Sequence, residues 1–176
     1  MKIGIVISST RPTRVGPTVA RWIADQAPEG FELDIIDLTE QDLPLLAEPK
    51  LPAEGDYTQE STKAWSERVQ QYDAMIFAVC EYNGGYSAPL KNAIDTLFAE
   101  WNDLPIGLVG YGFGGGARAM KALEPVLSTI KAIKVDGPEM AFGTALTPEG
   151  DMLPEAPAAE VRDLYLMLRD RVPARV

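Results

Sequence analysis

Three short runs dominate the reading of this chain. Lys2–Ile7, Asp73–Val79 and Pro105–Tyr111 are almost continuously apolar. A run of that length fits a strand covered on both faces, because a half-exposed strand would alternate apolar with polar residues. Between the runs the apolar period changes to that of a helix. Val19, Ile23 and Ala27 share one stripe behind Gly16-Pro17, where proline suits the first helical turn. Trp65, Val69 and Tyr72 form a stripe that Thr58 is placed to cap, and Leu90, Ile94, Leu97 and Trp101 one that Ser87 is placed to cap. Phe31–Ile36 reads as an edge strand with Phe31, Leu33 and Ile35 inward, and Ala132–Val135 as a last strand. Ala117–Ile130 reads as a helix that Pro125 kinks or splits. Glu155–Arg171 reads as a closing amphipathic helix, and Leu43–Asp56, rich in proline and acid, as a long loop. Strands alternating with helices define an α/β parallel sheet, and such sheets bind ligands at the carboxyl ends of their strands. At 176 residues the whole chain, 1–176, is expected to be one domain.

Composition removes several chemistries. The chain has no histidine, which excludes a Ser-His-Asp triad, a Cys-His pair and a His-ligated metal. Its single cysteine, Cys80, excludes an internal disulfide and points to a reducing compartment. A net charge of −10 argues against nucleic acid and anionic membranes as partners. The longest uncharged apolar run, Ala74–Cys80, is too short to span a bilayer. The N-terminus lacks a signal-peptide pattern, so a cytoplasmic location is expected.

The loops after the three apolar runs carry the candidate site. The first reads Ser8-Ser9-Thr10-Arg11-Pro12-Thr13-Arg14-Val15-Gly16 and enters a helix N-terminus, where free N–H groups and the dipole favour an anion. Residues 1–24 hold Lys2, Arg11, Arg14 and Arg21 and no acid, in a chain that is otherwise strongly acidic. This suits a bound phosphate; the alternative is an ordinary polar loop. The second loop, Cys80-Glu81-Tyr82-Asn83-Gly84-Gly85-Tyr86, offers glycine backbone and tyrosine faces to a flat ligand, or else is a simple turn. Cys80 itself fits a small core residue better than a reactive thiol. In the third, residues 110–115 match G-x-G-x-x-G with Asp136 about 20 residues on, the spacing of a dinucleotide-binding fingerprint. A run so rich in glycine matches such patterns easily. The milder reading is a backbone that approaches the edge of a planar ligand.

Together these segments resemble the NADPH-dependent FMN reductases, a family that includes quinone, chromate and azo-dye reductases. Glu81-Tyr82-Asn83 followed by Pro89-Leu90-Lys91-Asn92-Ala93-Ile94-Asp95 is similar to the family's P-E-Y-N…P-x-x-L-K-N-A-I-D signature. Ile7–Arg11 resembles its G-S-x-R phosphate loop, and Gly115-Gly116-Ala117-Arg118-Ala119 its G-G-x-R-A stretch. The resemblance implies a three-layer, doubly wound flavodoxin-like fold with five parallel strands in the order 2-1-3-4-5. It implies FMN as cofactor, NADPH or NADH as cosubstrate, and a quinone or another small molecule as electron acceptor. Ser9, Arg11 and the helix start Val15, Gly16, Pro17 and Thr18 would hold the FMN phosphate, with Arg14 in the same loop. Glu81, Tyr82, Asn83 and Gly84 would line the isoalloxazine, with Cys80 beneath them, and Gly110, Tyr111, Gly112 and Gly115 its other edge. No side chain is assigned a catalytic role, since the flavin carries the chemistry. Three positions depart from the family: Cys80 replaces a proline, Ser8 a common glycine, and Gly110 a common serine. The family also implies a homodimer or homotetramer, for which Leu97, Phe98 and Trp101 are candidate interface residues; the alternative places all three in the core. Two rival functions stand beside the reductase: a flavodoxin-like FMN electron carrier without NAD(P)H turnover, and a regulatory module that has lost the flavin.

Overall fold

A computed structural model describes residues 1–41 and 43–173. Strands β1 (Lys2–Ile7), β2 (Glu32–Asp37), β3 (Ala74–Cys80), β4 (Pro105–Gly112) and β5 (Ile133–Ala141) form one parallel sheet in the order β2-β1-β3-β4-β5. The helices are α1 (Gly16–Asp25), α2 (Glu60–Val69), α3 (Ala88–Asp95), α4 (Ala117–Thr129) and α5 (Ala158–Arg169). This is the expected flavodoxin-like topology.

The strand period of two sorts the apolar runs onto two faces. Val6, Met75, Phe77, Val79, Ile106 and Leu108 pack under α2, α3 and α4. Ile3, Ile5, Ile7, Ile76, Val109 and Tyr111 pack under α1 and α5. Both sides of β1, β3 and β4 are therefore core, which is why these segments read as continuous apolar runs. Among the described residues no helix is long and apolar enough to cross a membrane.

Several local expectations are corrected. In β2 the fully buried residue is Ile36, which joins the cluster of Trp65 and Tyr72, whereas Ile35 is exposed because this edge strand runs out from under its helices. Phe31 precedes the strand and packs its ring 5.2 Å from Tyr165. Pro125 lies inside α4 without splitting it. The last strand, at nine residues, is more than twice the expected length. Its Gly137-Pro138 pair sits beside a register shift between Leu108 and Gly110, where a proline's missing N–H is tolerated. A Cβ on residue 137 would lie 2.4 Å from the Leu108 carbonyl, so only glycine fits there. Leu97 and Trp101 are buried in the core. They are not a subunit interface, and Phe98 alone of the three is partly exposed.

Thr58 does not cap α2, whose N-cap is Gln59. The cap comes from the preceding loop: the Glu48 carboxylate accepts from the Thr58 N–H (2.8 Å), the Thr58 hydroxyl (2.8 Å) and the Gln59 N–H (3.0 Å). An anion at a helix N-terminus also gains from the dipole. Desolvation works to raise the Glu48 pKa, but these bonds, with one from Thr62, outweigh it and lower it from 4.5 to about 2. A depressed carboxylate pKa contributes stability that is full above the ordinary value and lost as pH falls through the folded one. The urea midpoint of the wild type should therefore fall more steeply between pH 4.5 and about 2 than that of Glu48→Gln. Parallel profiles for the two proteins would show that Glu48 does not act as the cap.

Candidate active site

The loops after β1, β3 and β4 meet at the carboxyl edge of the sheet around a cleft of about 340 Å³. The first loop contributes Ser9, Arg11, Arg14 and Val15, the second Cys80, Glu81 and Tyr82, and the third Tyr111, Gly112 and Phe113. Nine residues expected from sequence thus line one cavity. Gly16, Pro17, Thr18, Asn83, Gly84, Gly110 and Gly115 do not line it but build its walls.

The walls explain themselves residue by residue. The Ser8 hydroxyl donates to the Ala78 carbonyl (2.6 Å) and accepts from the Cys80 N–H (3.0 Å), extending the β1–β3 pairing past the strand ends. A glycine at position 8 would lack this tie. The Ser87 hydroxyl caps α3 by accepting from the Leu90 N–H (3.3 Å) and donates to the Ser8 carbonyl (2.6 Å). Asn83 and Gly84 both have positive φ and turn the chain so that Tyr82 and Gly85 exchange backbone hydrogen bonds, the geometry that Asn-Gly favours. Gly110 faces the Gly115 carbonyl at 2.4 Å from where a Cβ would stand, so the common serine cannot fit this loop. Gly16 packs still closer: its Cβ would lie 2.3 Å from Ser9 Oγ and 2.8 Å from the Tyr111 hydroxyl.

Five buried side-chain polar atoms among the described residues lack a hydrogen-bond partner, and four of them belong to this cleft: Ser9 Oγ, Arg14 Nε, Glu81 Oε2 and the Tyr111 hydroxyl. Buried polar atoms are normally paired with protein or ordered water, so these four are groups that a polar ligand or water in the cleft would satisfy. Burial first, and then nearby Cys80, push the Tyr111 pKa up, which keeps its hydroxyl a donor. Burial and Cys80 also raise Tyr82, against an opposing pull from Arg11. The Arg11 guanidinium lies over the Tyr82 ring, 5.8 Å from its centroid. Arg14 is less available than its neighbour: it binds Asp37 (2.5 Å) and Thr39 (3.1 Å). Burial tends to raise the Asp37 pKa, but its bonds to Thr39 and Arg14 outweigh that and hold it low.

Two lining residues, Phe142 and Pro148, were not expected. They follow β5, and ending that strand at Val135 left them far from the carboxyl edge. Phe113, also unexpected, is highly exposed and meets the Phe142 ring edge-on at 5.1 Å. Its signal was a large aromatic set among glycines in a binding loop. Asp136, the acid of the dinucleotide reading, lies within β5 and pairs with Lys134 (2.8 Å), on no wall of the cleft. That reading is overturned.

A doubly wound sheet with an anion-suited first loop and a cleft at the carboxyl ends of β1, β3 and β4 defines a flavodoxin-like nucleotide-binding protein. The comparisons with known proteins make this specific. Residues 1–147 match the NADPH-dependent FMN reductase family, and the chain belongs to it. An NAD(P)H-dependent FMN reductase of Schizosaccharomyces pombe is 40% identical over 134 residues, covering 74% of this chain and 67% of that one. An NADPH:quinone oxidoreductase of Arabidopsis thaliana is 27% identical over 182 residues, covering 96% and 90%. Among solved structures, the flavoenzyme NAD(P)H:(acceptor) oxidoreductase FerB of Paracoccus denitrificans superposes with a TM-score of 0.69 at 21% identity, covering 97% and 94%, a likeness of fold. The chain is thus an oxidoreductase with FMN as cofactor and NAD(P)H as electron donor.

Proposed function

We propose that this cleft holds FMN and that the protein passes electrons from NAD(P)H through it to a quinone or a similar small acceptor. The observation that carries the reading is the set of four unpartnered buried polar atoms around one cavity. Bound FMN supplies hydride transfer between nicotinamide and acceptor. The chain's residues bind, orient and shield. Ser9 and Tyr111 present hydroxyl donors against Gly16 at the start of α1, where the dipole adds a favourable field for phosphate. Arg11, over the Tyr82 ring, supplies a cation with no carboxylate partner among the ion pairs of the described residues, while Arg14 is held by Asp37 and braces the loop. Tyr82, Phe113 and Phe142 present aromatic faces suited to a planar ligand. Cys80, buried beneath them, needs no thiol chemistry. Self-association is part of the same reading, on a surface that excludes Leu97 and Trp101, as is a reducing, cytoplasmic setting for the single free cysteine.

The visible spectrum of purified protein tests the reading. A flavin spectrum should bleach on anaerobic NADPH addition and recover on adding a quinone. A protein that stays colourless with excess FMN would sink the proposal, and one that binds FMN but never oxidises NADPH would be the electron carrier. Within the site, Arg11→Ala should weaken FMN binding about 10–150-fold, the value of one charge-assisted hydrogen bond of about 1.5–3 kcal/mol. Fluorescence titration measures it, and an unchanged dissociation constant would remove Arg11 from the phosphate.

A further inference from the structure

Turnover needs no thiol, yet the chain's single cysteine stands on the wall of the cleft. Cys80 is 3% exposed and lines the cavity together with Ser9, Tyr82 and Tyr111. Ser8 Oγ lies 3.4 Å from its sulfur. Ser9 and Tyr111 are 1% and 3% exposed, and neither hydroxyl has a partner among the described residues. The two converge: a Cβ on Gly16 would lie 2.3 Å from the first and 2.8 Å from the second. Cys80 is also close enough to Tyr111 to add to the effect of burial in raising its pKa. Proline stands at position 80 in the signature this chain resembles, so the thiol belongs to this chain and not to the fold.

A sulfur nucleophile beside two hydroxyl donors suits an electrophile whose carbonyl oxygen gains charge as the sulfur attacks. A quinone is such a compound, and its flat ring suits the aromatic side chains of Tyr82, Phe113 and Phe142. We propose that in the flavin-free protein Cys80 is a site of covalent quinone addition, with Ser9 and Tyr111 donating to the quinone oxygen. The sulfur bonds to a ring carbon, and the C=C electron pair moves through the conjugated system onto a carbonyl oxygen. That oxygen takes the thiol proton, and the hydrogen of the attacked carbon passes through water to the other oxygen. The product is a hydroquinone joined to Cys80 as a thioether. The thiol supplies the electron pair, so no further oxidant or reductant is needed. FMN in this cleft competes for the same space and the same hydroxyls, so cofactor occupancy shields Cys80. Once formed, the adduct fills the cleft and excludes FMN. The proposal rests on the reading of the cleft as an FMN site with a quinone as acceptor.

The test treats flavin-free wild type, FMN-saturated wild type, Cys80→Ser and Tyr111→Phe with equimolar 1,4-benzoquinone at neutral pH. Intact mass follows the adduct and peptide mapping locates it. Flavin-free wild type should gain one quinone, on the peptide that holds Cys80, and then fail to bind FMN in a fluorescence titration. Saturating FMN and Cys80→Ser should each abolish the adduct. Tyr111→Phe should slow its formation by roughly 10–150-fold, as expected for one hydrogen bond to a charged group. A flavin-free wild type that binds added FMN but gains no quinone at Cys80 overturns the proposal and leaves the FMN reading standing. An adduct that forms equally fast under saturating FMN overturns it as well, because the quinone would then reach the sulfur by another route. A Tyr111→Phe protein that reacts at the wild-type rate overturns the role of that hydroxyl. Quinone uptake at Cys80 by a protein that never binds FMN overturns the FMN reading and leaves the addition site standing. Should Tyr111→Phe fail to fold, flavin-free against FMN-saturated wild type still decides.

Discussion

Gly16→Ala should leave the protein folded and nearly unable to retain FMN. The added methyl would stand 2.3 Å from Ser9 Oγ, 2.8 Å from the Tyr111 hydroxyl and 2.8 Å from Ile7 Cγ2. Ile7 belongs to a central strand and cannot retreat, so the two hydroxyls must. Overpacking of this kind costs about 1–3 kcal/mol, within what a domain stable by about 5–15 kcal/mol survives. The ligand loses more. If Ser9 and Tyr111 each give FMN a hydrogen bond to a charged group, at about 1.5–3 kcal/mol apiece, displacing both lowers affinity by about a hundredfold to ten-thousandfold. Equilibrium dialysis with FMN, alongside a thermal melt, separates the two effects. Unchanged FMN affinity in a folded Gly16→Ala protein would mean that the ligand does not reach these hydroxyls.

Trp101→Ala should cost about 3–5 kcal/mol of stability, a large share of the total. Trp101 is 1% exposed. Its ring stands edge-on to Phe77 at 6.4 Å and lies 6.3 Å from Trp65, and its indole N–H donates to the Ile94 carbonyl at 3.0 Å. Truncation removes the packing of the face under α2 and α3 and leaves that carbonyl only its backbone donors, among them the Leu97 N–H at 3.3 Å. A glutamate here would bury an unpaired charge in the same place, so it would unfold the chain and not merely separate subunits. Urea denaturation followed by far-UV circular dichroism gives the value. A wild-type midpoint in Trp101→Ala would contradict its place in the core.

Most of the fold is legible in the sequence for a definite reason. β1, β3 and β4 are covered on both faces, so nothing interrupts their apolar character, and Ser87 caps its helix through a local contact. What escapes depends on distant residues. The cap of α2 comes from Glu48 across a loop, and the outward turn of Ile35 depends on where the helices end over an edge strand. The length of β5 depends on a bulge opposite Leu108, which makes Gly137-Pro138 compatible with a strand. The same error hid Phe142 and Pro148 from the site. The lining residues that were legible lie on loops that leave central strands directly, so their position follows from the strand alone. The choice between interface and core stays open for Trp101 in the sequence because one helix stripe shows how apolar a face is, not what lies against it.

The hydroxyls of Ser8 and Ser87 have a consequence for how a ligand arrives. Ser8 joins the β1 loop to the ends of Ala78 and Cys80, and Ser87 joins the start of α3 to the Ser8 carbonyl. Two sides of the cleft are thereby fastened to each other through buried bonds that need no ligand. The conformational entropy of arranging them is spent during folding rather than at encounter, so these walls are preorganised. Cofactor association then requires no concerted loop closure on this side of the cleft, and differences in affinity among variants of these walls belong to the rate of escape rather than the rate of capture.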